Sequence, residues 1–506
     1  MSGLRPIRKI LVANRGEIAV RVIRTCREMG IASVAVYSDA DASALHVRMA
    51  DEAVHIGAAP SAESYLVVDR ILEVARAHEV DAVHPGYGFL SENPRFAQAC
   101  ADLGITFIGP TPSAIEAMGD KTAARALMEE AGVPMAPGTI DAVSDEEEAA
   151  RIAAEIGFPV LIKAAAGGGG KGMRIVRSAD EFESALDTAS SEATSAFGDG
   201  RVFIEKYIEE PRHIEFQILA DTHGNTVHLF ERECSVQRRH QKVVEEAPSS
   251  VLTPELRAAM GEAAIRAAQS CGYVGAGTVE FLFDRDQQFY FMEMNTRLQV
   301  EHPVTEEITG LDLVREQIRI AEGHPLPFSQ EDCRIRGHSI ECRIYAEDPS
   351  AGFMPGPGIL LAHDPPSGPG VRVDSGVEEG SEISLYYDPM ISKLVTWGAT
   401  REQAMDRMIR ALEEYDVAGV PTTIGFCHFV MGHESFRSGH FSTHFVDQHF
   451  TPDVLDDVSE TLTEDLAIAA ALFVDQEHGS PQGASSANAP SASGYSPWRS
   501  RRMRPE

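Results

Sequence analysis

The chain has 506 residues and a formal net charge of −33, which argues against nucleic-acid binding because a phosphate backbone calls for a basic surface. Its hydrophobic content of 43% is typical of a soluble globular protein, and neither a membrane-spanning apolar run nor an apolar signal peptide is evident. The seven cysteines form no CxxC pair, so we expect neither disulfides nor a zinc site and place the protein in a reducing cytoplasm.

The N-terminal segment alternates strand-like and helical patterns. Short apolar runs predict strands at residues 8–13, 33–37, 81–84 and 106–108. A helix is predicted over residues 17–29, with Gly30 at its end. We therefore expect an open parallel α/β domain over residues 5–115.

Two loops of this segment bear on function. The first turn, residues 14–17, lacks the three-glycine dinucleotide fingerprint, which argues against a nicotinamide enzyme. The loop HPGYGFLSEN (84–93) is rich in glycine, aromatic and polar residues. It is either a functional surface or a tight exit from the preceding strand.

Two helices are predicted next. Asp120 can cap a helix that begins near Lys121. Ser144 and Glu147 form a capping box for a helix over residues 145–156. The acidic run DEEE in that helix is therefore interpreted as compensation of the helix dipole rather than as a binding site.

Four consecutive glycines lie between two strand-like runs in FPVLIKAAAGGGGKGMRIV. Gly167, Gly169 and Gly172 formally match GxGxxG, but a strand follows where that motif needs a helix. A Walker A motif does not fit either, because Gly172 follows Lys171. A strand, glycine loop and strand make a flap whose N–H groups can close over phosphates; the alternative is a plain mobile turn.

Residues 202–208 predict another strand, and ERECSVQRRHQKVVEEAP (231–248) follows with several cations between acidic residues. These cations are Arg232, Arg238, Arg239, His240 and Lys242. The segment is either a charged surface or a small-anion site, and the pattern alone leaves both open.

The segment from residue 277 to 307 has the clearest chemical pattern. Two strand-like runs, TVEFLF and FYFMEMN, are joined by the polar turn DRDQQ, which brings Glu280 beside Glu293. Alternation along the second run predicts one polar and one packed face. The polar face holds Glu293, Asn295 and Arg297, and the packed face holds Met292, Met294 and Leu298.

Two carboxylates and an amide oxygen make a hard-oxygen pocket of the kind that Mg²⁺ accepts when substrate phosphates complete its shell. The guanidinium of Arg297 suits a planar anion or a phosphate. The alternative is a hairpin with a charged, solvated face.

Lysine is scarce in this chain. The seven lysines are Lys9, Lys121, Lys163, Lys171, Lys206, Lys242 and Lys393. Those from Lys121 to Lys242 all fall in glycine-rich or polar motifs. An ammonium is a compact point charge suited to phosphate and small anions, so these lysines are candidate anion contacts.

The C-terminal part predicts a separate α+β domain over residues 334–447, including a helix over residues 401–415. Residues 448–475 are expected to form a helical extension. Residues 476–506 are rich in Ser, Gly, Ala and Pro and are expected to be a disordered tail. The tail ends in a basic peptide around Trp498, either an assembly element or a plain terminus.

A series of motifs along residues 7–447 resembles the biotin carboxylase component of acyl-CoA carboxylases, in the ATP-grasp superfamily. The motifs are NRGEIAVRV (14–22), HPGYGFLSEN (84–93), GDK (119–121), GGGGKGM (167–173), EKYI (205–208), RHIEFQ (212–217), RRHQKVVEEAP (238–248), EMNTRLQVEHPVTE (293–306), ECRIYAEDP (341–349) and YYDPMISKL (386–394). The resemblance implies an open parallel α/β domain, an ATP-grasp domain over residues 116–333 and a C-terminal α+β biotin carboxylase domain.

The resemblance further implies ATP- and bicarbonate-dependent carboxylation of biotin through carboxyphosphate, with Mg²⁺ or Mn²⁺. The implied nucleotide contacts are Lys121 and Lys163 at the phosphates, Gly168, Gly169 and Gly170 in the flap, Glu205, Lys206, Tyr207 and Ile208 at the adenine hinge, and His213, Gln237 and His240. The implied metal ligands are Glu280, Glu293 and Asn295. The implied catalytic groups are Lys242, Arg297 and the Val300 backbone around bicarbonate, Glu301 as the base, and Arg343 at the biotin enolate.

The sequence contains no Met-Lys-Met biotinylation motif, so we expect biotin on a separate carrier protein and a separate carboxyltransferase subunit. We also expect a homodimer, with cross-subunit ion pairs from Arg21, Arg24 and Glu28 on the helix after NRGE. The alternatives are another ATP-grasp carboxylate ligase and a non-catalytic nucleotide-sensing subunit.

Overall fold

The computed structural model describes residues 4–139, 141–143, 145–165, 173–239 and 241–455. The predicted glycine flap, Ser144, His240 and the expected C-terminal extension and tail lie wholly or largely outside the described residues. Within the described part, no helix is both long and apolar enough to cross a membrane.

The N-terminal part is built on a five-stranded sheet with the order β3-β2-β1-β4-β5, and all of its strand pairs are parallel. Its elements are β1 (Lys9–Val12), α1 (Gly16–Met29), β2 (Ala32–Ser38), α2 (Leu45–Met49), β3 (Glu52–Gly57), α3 (Val68–Ala77), β4 (Ala82–His84), α4 (Pro94–Asp102) and β5 (Thr106–Phe107). This confirms the predicted open parallel α/β fold. Strand β3 was not predicted, because it is a half-exposed edge strand that mixes polar and apolar residues.

Helix α1 ends at Gly30 as predicted, because a φ of 71° there is a left-handed conformation that favours glycine. The expected cross-subunit role of Arg21 is wrong. Its side chain is buried within the subunit, where it pairs with Glu306 at 2.8 Å and Asp312 at 2.7 Å. Arg24 remains exposed on the same helix.

A small three-stranded antiparallel sheet with the order β7-β6-β8 follows, covered by two helices around its own apolar core. The elements of this region are α5 (Pro112–Gly119), α6 (Lys121–Glu130), α7 (Glu146–Ile156), β6 (Val160–Ala164), β7 (Met173–Val176), α8 (Ala179–Phe197) and β8 (Val202–Lys206). Asp120 caps α6 as predicted. Asp145 caps helix α7, because its side chain accepts the N–H of Glu148; the predicted cap, Ser144, lies outside the described residues.

An eight-stranded antiparallel sheet forms the centre of the described protein, with the order β13-β12-β9-β10-β11-β14-β21-β19. The central elements are β9 (Arg212–Ala220), β10 (Thr226–Arg238), β11 (Gln241–Ala247), α9 (Pro254–Ser270), β12 (Gly275–Phe283), β13 (Phe289–Asn295), α10 (His302–Thr309) and α11 (Leu313–Ala321). The sheet continues into the C-terminal part, since Glu245 of β11 pairs with Glu341 of β14.

The C-terminal part packs its helices on the far end of that sheet. Its elements are β14 (His338–Tyr345), β15 (Glu347–Asp348), β16 (Met354–Pro355), β17 (Gly358–Ile359), β18 (Ala362–Asp364), β19 (Val371–Ser375), β20 (Glu382–Ile383), β21 (Met390–Gly398), α12 (Arg401–Glu414), β22 (Asp416–Ala418), α13 (Ile424–Gly432), α14 (Glu434–Arg437) and α15 (Phe445–His449). The predicted helix after residue 400 is α12. Strands from both sides of residue 333 belong to the large sheet, so the domain boundary placed at that residue from the sequence remains a prediction.

Buried neutral histidines make the fold sensitive to acid. Burial lowers the pKa of His46, His84 and His228 to about 4 in each case. A histidine whose pKa is depressed on folding contributes stability that is present above its unfolded value, about 6.5, and lost as the pH falls from there towards 4.

The free energy of unfolding of the wild-type protein should fall as the pH is lowered from about 7.5 to about 5. In His84→Asn we expect this fall to be smaller by roughly 1–2 kcal/mol, because a neutral amide cannot gain a proton. The amide oxygen can replace Nδ1, which accepts the Gly86 N–H at 3.0 Å. Urea-induced unfolding at both pH values measures the difference. Exposed His428→Asn is the control, and an equal reduction in both variants would contradict the prediction.

Candidate active site

A cavity of about 460 Å³ is lined by the small sheet, by α5 and α6, and by strand β13 of the large sheet. Its charged and amide side chains are Glu92, Lys121, Arg125, Lys163, Glu205, Glu293 and Asn295. Five of the residues predicted for a nucleotide or metal therefore meet around one space: Lys121, Lys163, Glu205, Glu293 and Asn295.

Two ammonium groups face this cavity. Lys163 lies on β6, and its Nζ is 2.5 Å from Glu205 Oε2. Lys121 begins helix α6, and both burial and the charge of Lys163 lower its pKa. Neighbouring cations that repel each other favour a ligand with several negative charges, such as a polyphosphate.

Glu205 is held by a second cation, since Arg125 donates to its Oε1 at 2.7 Å. The next residue, Lys206, donates from Nζ to the main-chain oxygens of Gly157 at 2.9 Å and Phe158 at 3.1 Å. The strand end that carries Lys206, Tyr207 and Ile208 is thereby tied to the loop before β6. The main-chain N–H groups of Lys206 and Tyr207 donate to the oxygens of Pro137 and Pro159, so a ligand at this strand end would meet other main-chain groups.

The hairpin of β12 and β13 forms as the sequence predicts. Glu280 pairs with Glu293 across the strands, and Asn295 Nδ2 donates to Glu280 Oε1 at 2.8 Å. Arg297 reaches back to Asn295 Oδ1 at 2.8 Å and also contacts Glu92 at 3.0 Å. The loop 84–93 thus contributes a carboxylate to the site.

The predicted packing of Met292 is wrong. A bulge between the Glu280–Glu293 and Phe281–Phe291 pairs inserts Met292 as an extra residue and breaks the alternation. Met292 is 36% exposed and lines the cavity, whereas Met294 and Leu298 are buried as predicted.

Lys242 on β11 lies among three carboxylates beside the cavity. Its Nζ is 2.5 Å from Glu215 Oε2, 2.7 Å from Glu301 Oε1 and 2.9 Å from Glu280 Oε1. Burial opposes the charge on Lys242, but the three glutamates raise its pKa well above the usual value. The ammonium is therefore permanently charged at neutral pH.

Glu301 is almost completely buried and held by two cations. Lys242 contacts one oxygen, and Arg343 NH2 donates to the other, Oε2, at 2.9 Å. Arg343 also donates from Nε to Glu245 Oε1 at 2.6 Å. Although burial opposes ionisation, Lys242 and then Arg343 lower the pKa of Glu301, so it is a carboxylate at neutral pH.

The pattern of the sequence did not assign a role to Arg232 or Glu215, which support this cluster. Arg232 is fully buried, and its Nε donates to Glu215 Oε1 at 2.6 Å. Its other two nitrogens donate to Gln217, Thr278, Gln299 and Thr305. The alternation in RHIEFQ, which puts Glu215 on the same strand face as His213 and Gln217, is the signal that points to Glu215.

His213 joins the cluster from β9, with Nε2 3.0 Å from Glu280 Oε2. Burial opposes its protonation, but the charge of Glu280 raises the pKa of His213 to about 9. Gln237 lies beside it, with Nε2 3.2 Å from the Nδ1 of His213. The expected partner His240 lies outside the described residues.

The predicted metal ligands fit a hard divalent cation. Glu280 and Glu293 stand side by side, and both burial and the charge of Glu280 raise the pKa of Glu293. A cation between them would relieve that repulsion, and Asn295 would add its amide oxygen, which in this structure accepts from Arg297 at 2.8 Å. Among the described residues, two groups of acidic, histidine or cysteine side chains have close ligand atoms: His213, Glu215 and Glu280, and Glu215, Cys234 and Glu301. Glu215 is paired there with Arg232 and Lys242, and Glu280 with Lys242 and His213, so a cation at Glu280 would replace the latter two contacts.

Paired carboxylates and adjacent lysines around one cavity, between a small sheet and a large one, define the class of ATP-grasp ligases. Family models match most of the chain: Biotin carboxylase, N-terminal domain, at residues 6–115; Carbamoyl-phosphate synthase L chain, ATP binding domain, at 120–329; and Biotin carboxylase C-terminal domain, at 341–448. The chain belongs to the biotin carboxylase family of ATP-dependent ligases.

Individual relatives agree with this assignment. The chain is 57% identical over 440 residues to biotin carboxylase of Nostoc sp., covering 87% of this chain and 98% of that protein. It is 60% identical over 441 residues to a component of the pyruvate carboxylase of Methanothermobacter thermautotrophicus, covering 87% and 90%.

A solved structure also superimposes on the fold. It is the biotin carboxylase domain dimer of 2-oxoglutarate carboxylase from Hydrogenobacter thermophilus, in complex with MgADP, ADP and bicarbonate. It has a TM-score of 0.84 and 52% identity, and the match covers 89% of this chain and 99% of that one.

Arg232→Met should lower the free energy of unfolding by about 3–5 kcal/mol, because it leaves the buried Glu215 carboxylate without its guanidinium. Arg257→Met is the matched control: Arg257 also pairs with a buried glutamate, Glu231, but its side chain is 19% exposed, so we expect a smaller loss. Urea-induced unfolding measures both. Adding Glu215→Gln to Arg232→Met should restore part of the loss, and a further loss would contradict this account.

Proposed function

We propose that this protein uses ATP to carboxylate biotin with bicarbonate, through carboxyphosphate. The observation that carries the proposal is Glu301, buried as a carboxylate between Lys242 and Arg343 beside a cavity with two lysines. A simple nucleotide-binding site has no need of a buried, ionised acid next to two fixed cations.

ATP is proposed to occupy the cavity. Lys121 and Lys163 suit its phosphates as point charges, and residues 205–208 suit its adenine through main-chain groups. The glycines Gly168, Gly169 and Gly170 are proposed to cover the phosphates, with His213, Gln237 and His240 as further contacts. The MgADP in the Hydrogenobacter structure supports this choice of ligand.

Glu280, Glu293 and Asn295 are proposed to hold Mg²⁺ or Mn²⁺, which would neutralise phosphate charge at this edge of the cavity. The carboxylates fix the side of the cavity at which the phosphates lie. Arg232 and Lys242 keep Glu280 and Glu215 at their positions through hydrogen bonds at 2.5–2.9 Å.

Bicarbonate is proposed to lie against Lys242, Arg297 and the N–H of Val300. Glu301 takes the bicarbonate proton, and the resulting oxygen nucleophile attacks the γ-phosphorus while ADP leaves. The product, carboxyphosphate, breaks down to CO₂ and phosphate. A closed glycine flap would exclude water from this labile intermediate.

The released phosphate is proposed to take the ureido proton of biotin, and the nitrogen then attacks CO₂. Negative charge develops on the ureido oxygen as the proton leaves. Arg343 is proposed to stabilise that charge, because its guanidinium is held in place by Glu245 and Glu301 before biotin arrives.

The partners are proposed to be a biotin carboxyl carrier protein and a carboxyltransferase subunit, with this chain as a homodimer in the cytoplasm. The dimeric Hydrogenobacter structure supports the homodimer, and Arg24 on α1 is available for a contact between copies. An acyl-CoA as the final acceptor remains a prediction, since the relatives include pyruvate and methylcrotonoyl-CoA carboxylases.

The direct test is bicarbonate-dependent ATP hydrolysis that free biotin stimulates. Glu301→Gln should keep ATP binding but lower the biotin-dependent turnover by roughly 10²–10⁴-fold, the usual effect of removing a positioned base. Release of ADP and phosphate, with and without bicarbonate, measures it.

Glu231→Gln is the matched control, because Glu231 is equally buried but pairs with Arg257 away from the cavity. It should lower stability while its turnover stays within about threefold of wild type. A folded Glu301→Gln protein with an unchanged rate would remove Glu301 from the mechanism, and ATP hydrolysis independent of bicarbonate would remove the proposed function.

A further inference from the structure

Lys393 on β21 is completely buried, at 0% exposure, yet none of the roles proposed above involves it. Its Nζ donates a hydrogen bond to the main-chain oxygen of Val300 at 2.9 Å. The same Nζ lies 3.3 Å from Glu17 Oε1 and 3.8 Å from Asp374 Oδ2. A lysine from the C-terminal part and a carboxyl group from the NRGE motif therefore meet beside the segment that carries Glu301.

Side chains from several strands fix each residue of that segment. Gln299 is held by Arg232 at 2.8 Å and by Glu280 at 2.6 Å. The Val300 oxygen is held by Lys393, and the Glu301 side chain is held by Lys242 and Arg343, as described above. Removal of Lys393 would therefore take away the hydrogen bond to the Val300 main-chain oxygen, while the side-chain contacts of Gln299 and Glu301 would remain.

The peptide bond between Val300 and Glu301 is planar, so a hydrogen bond to its oxygen fixes the orientation of both flanking Cα atoms. Lys393 and Arg343 are also cross-strand partners in the register of β21 and β14. Two cations on adjacent strands thus hold adjacent residues, one through the main chain and the other through the carboxylate.

We infer that Lys393 is a positioning residue for the carboxylation reaction, with the carboxyl groups of Glu17 and Asp374 beside its ammonium. By holding the Val300–Glu301 peptide, it fixes the main chain that carries the Glu301 carboxylate, together with the Cα of Val300, whose N–H is proposed to face bicarbonate. The inference rests on the proposed function, since it takes Glu301 as the base.

Lys393→Met in the full chain should lower kcat for bicarbonate-dependent ATP hydrolysis roughly 10–100-fold and raise the bicarbonate KM roughly tenfold. The ATP KM should change by less than about twofold, because the lysines and hinge of the ATP cavity are on other strands. A purely structural loss of folded protein would lower the apparent rate without separating the two KM values.

Two further variants separate positioning from stability. Arg21→Met removes a buried cation from the same part of the protein, where it pairs with Glu306 and Asp312 rather than with residues 299–301. It should lower the Tm while kcat stays within about threefold of wild type. The double variant Glu17→Gln/Lys393→Met leaves no unpaired Glu17 charge, so it should recover Tm relative to Lys393→Met without recovering kcat.

Recovery of kcat together with Tm in the double variant, or near wild-type kcat and bicarbonate KM in Lys393→Met, overturns the inference and leaves the proposed function intact. If Lys393→Met does not fold, the double variant is compared directly with Arg21→Met. A wild-type chain without bicarbonate-dependent ATP hydrolysis would instead overturn the proposed function itself.

Discussion

The geometry of the site is set by the ion pairs between the ammonium of Lys242 and three buried carboxylates. A buried carboxylate is costly unless a cation and hydrogen bonds compensate it. Glu215, Glu280 and Glu301 all find that compensation in Lys242, at 2.5–2.9 Å. Arg232 and Arg343 add a second cation to Glu215 and Glu301 respectively. The position of each acid is therefore fixed by cations, one of which all three acids share.

One antiparallel sheet brings these groups together. Glu280 and Glu215 are cross-strand partners on β12 and β9, and Arg232 on β10 is the partner of Glu215. Lys242 comes from β11 and Arg343 from β14, further along the same sheet. Because adjacent strands lie less than about 5 Å apart, side chains on one face of this sheet reach each other directly. Glu301 joins them from the turn before α10. The small sheet supplies the side of the cavity that carries Lys163 and Glu205.

The sequence predicts what is local in this arrangement. Glu280 and Glu293 are separated by a short turn, so strand alternation is enough to pair them. The Gly30 end of α1 and the Asp120 cap of α6 follow from single residues. The bulge at Met292 could not be predicted, because an extra residue in one strand depends on how its partner is packed.

Long-range pairings were also beyond the sequence pattern. Arg21 lies on a helix face that was expected at the surface, but Glu306 and Asp312, which are 285 and 291 residues away in sequence, cover it. The same holds for Arg232, Glu215 and Lys393. Their contacts depend on the order of the strands in the large sheet, and the sequence pattern predicts strands but not their order. The roles of the site residues remain proposals, and the sheet explains why those residue types lie together.

The most direct measurement of this account is the bicarbonate KM of Lys242→Arg, with the ATP KM measured in parallel. Three carboxylate oxygens close to one nitrogen leave room for a point charge but not for a planar guanidinium, so the variant keeps the charge while losing the geometry. We expect a bicarbonate KM raised by about tenfold or more in a folded protein, with an ATP KM within about twofold of wild type. A near wild-type bicarbonate KM would contradict the claim that the cluster is built around a single ammonium.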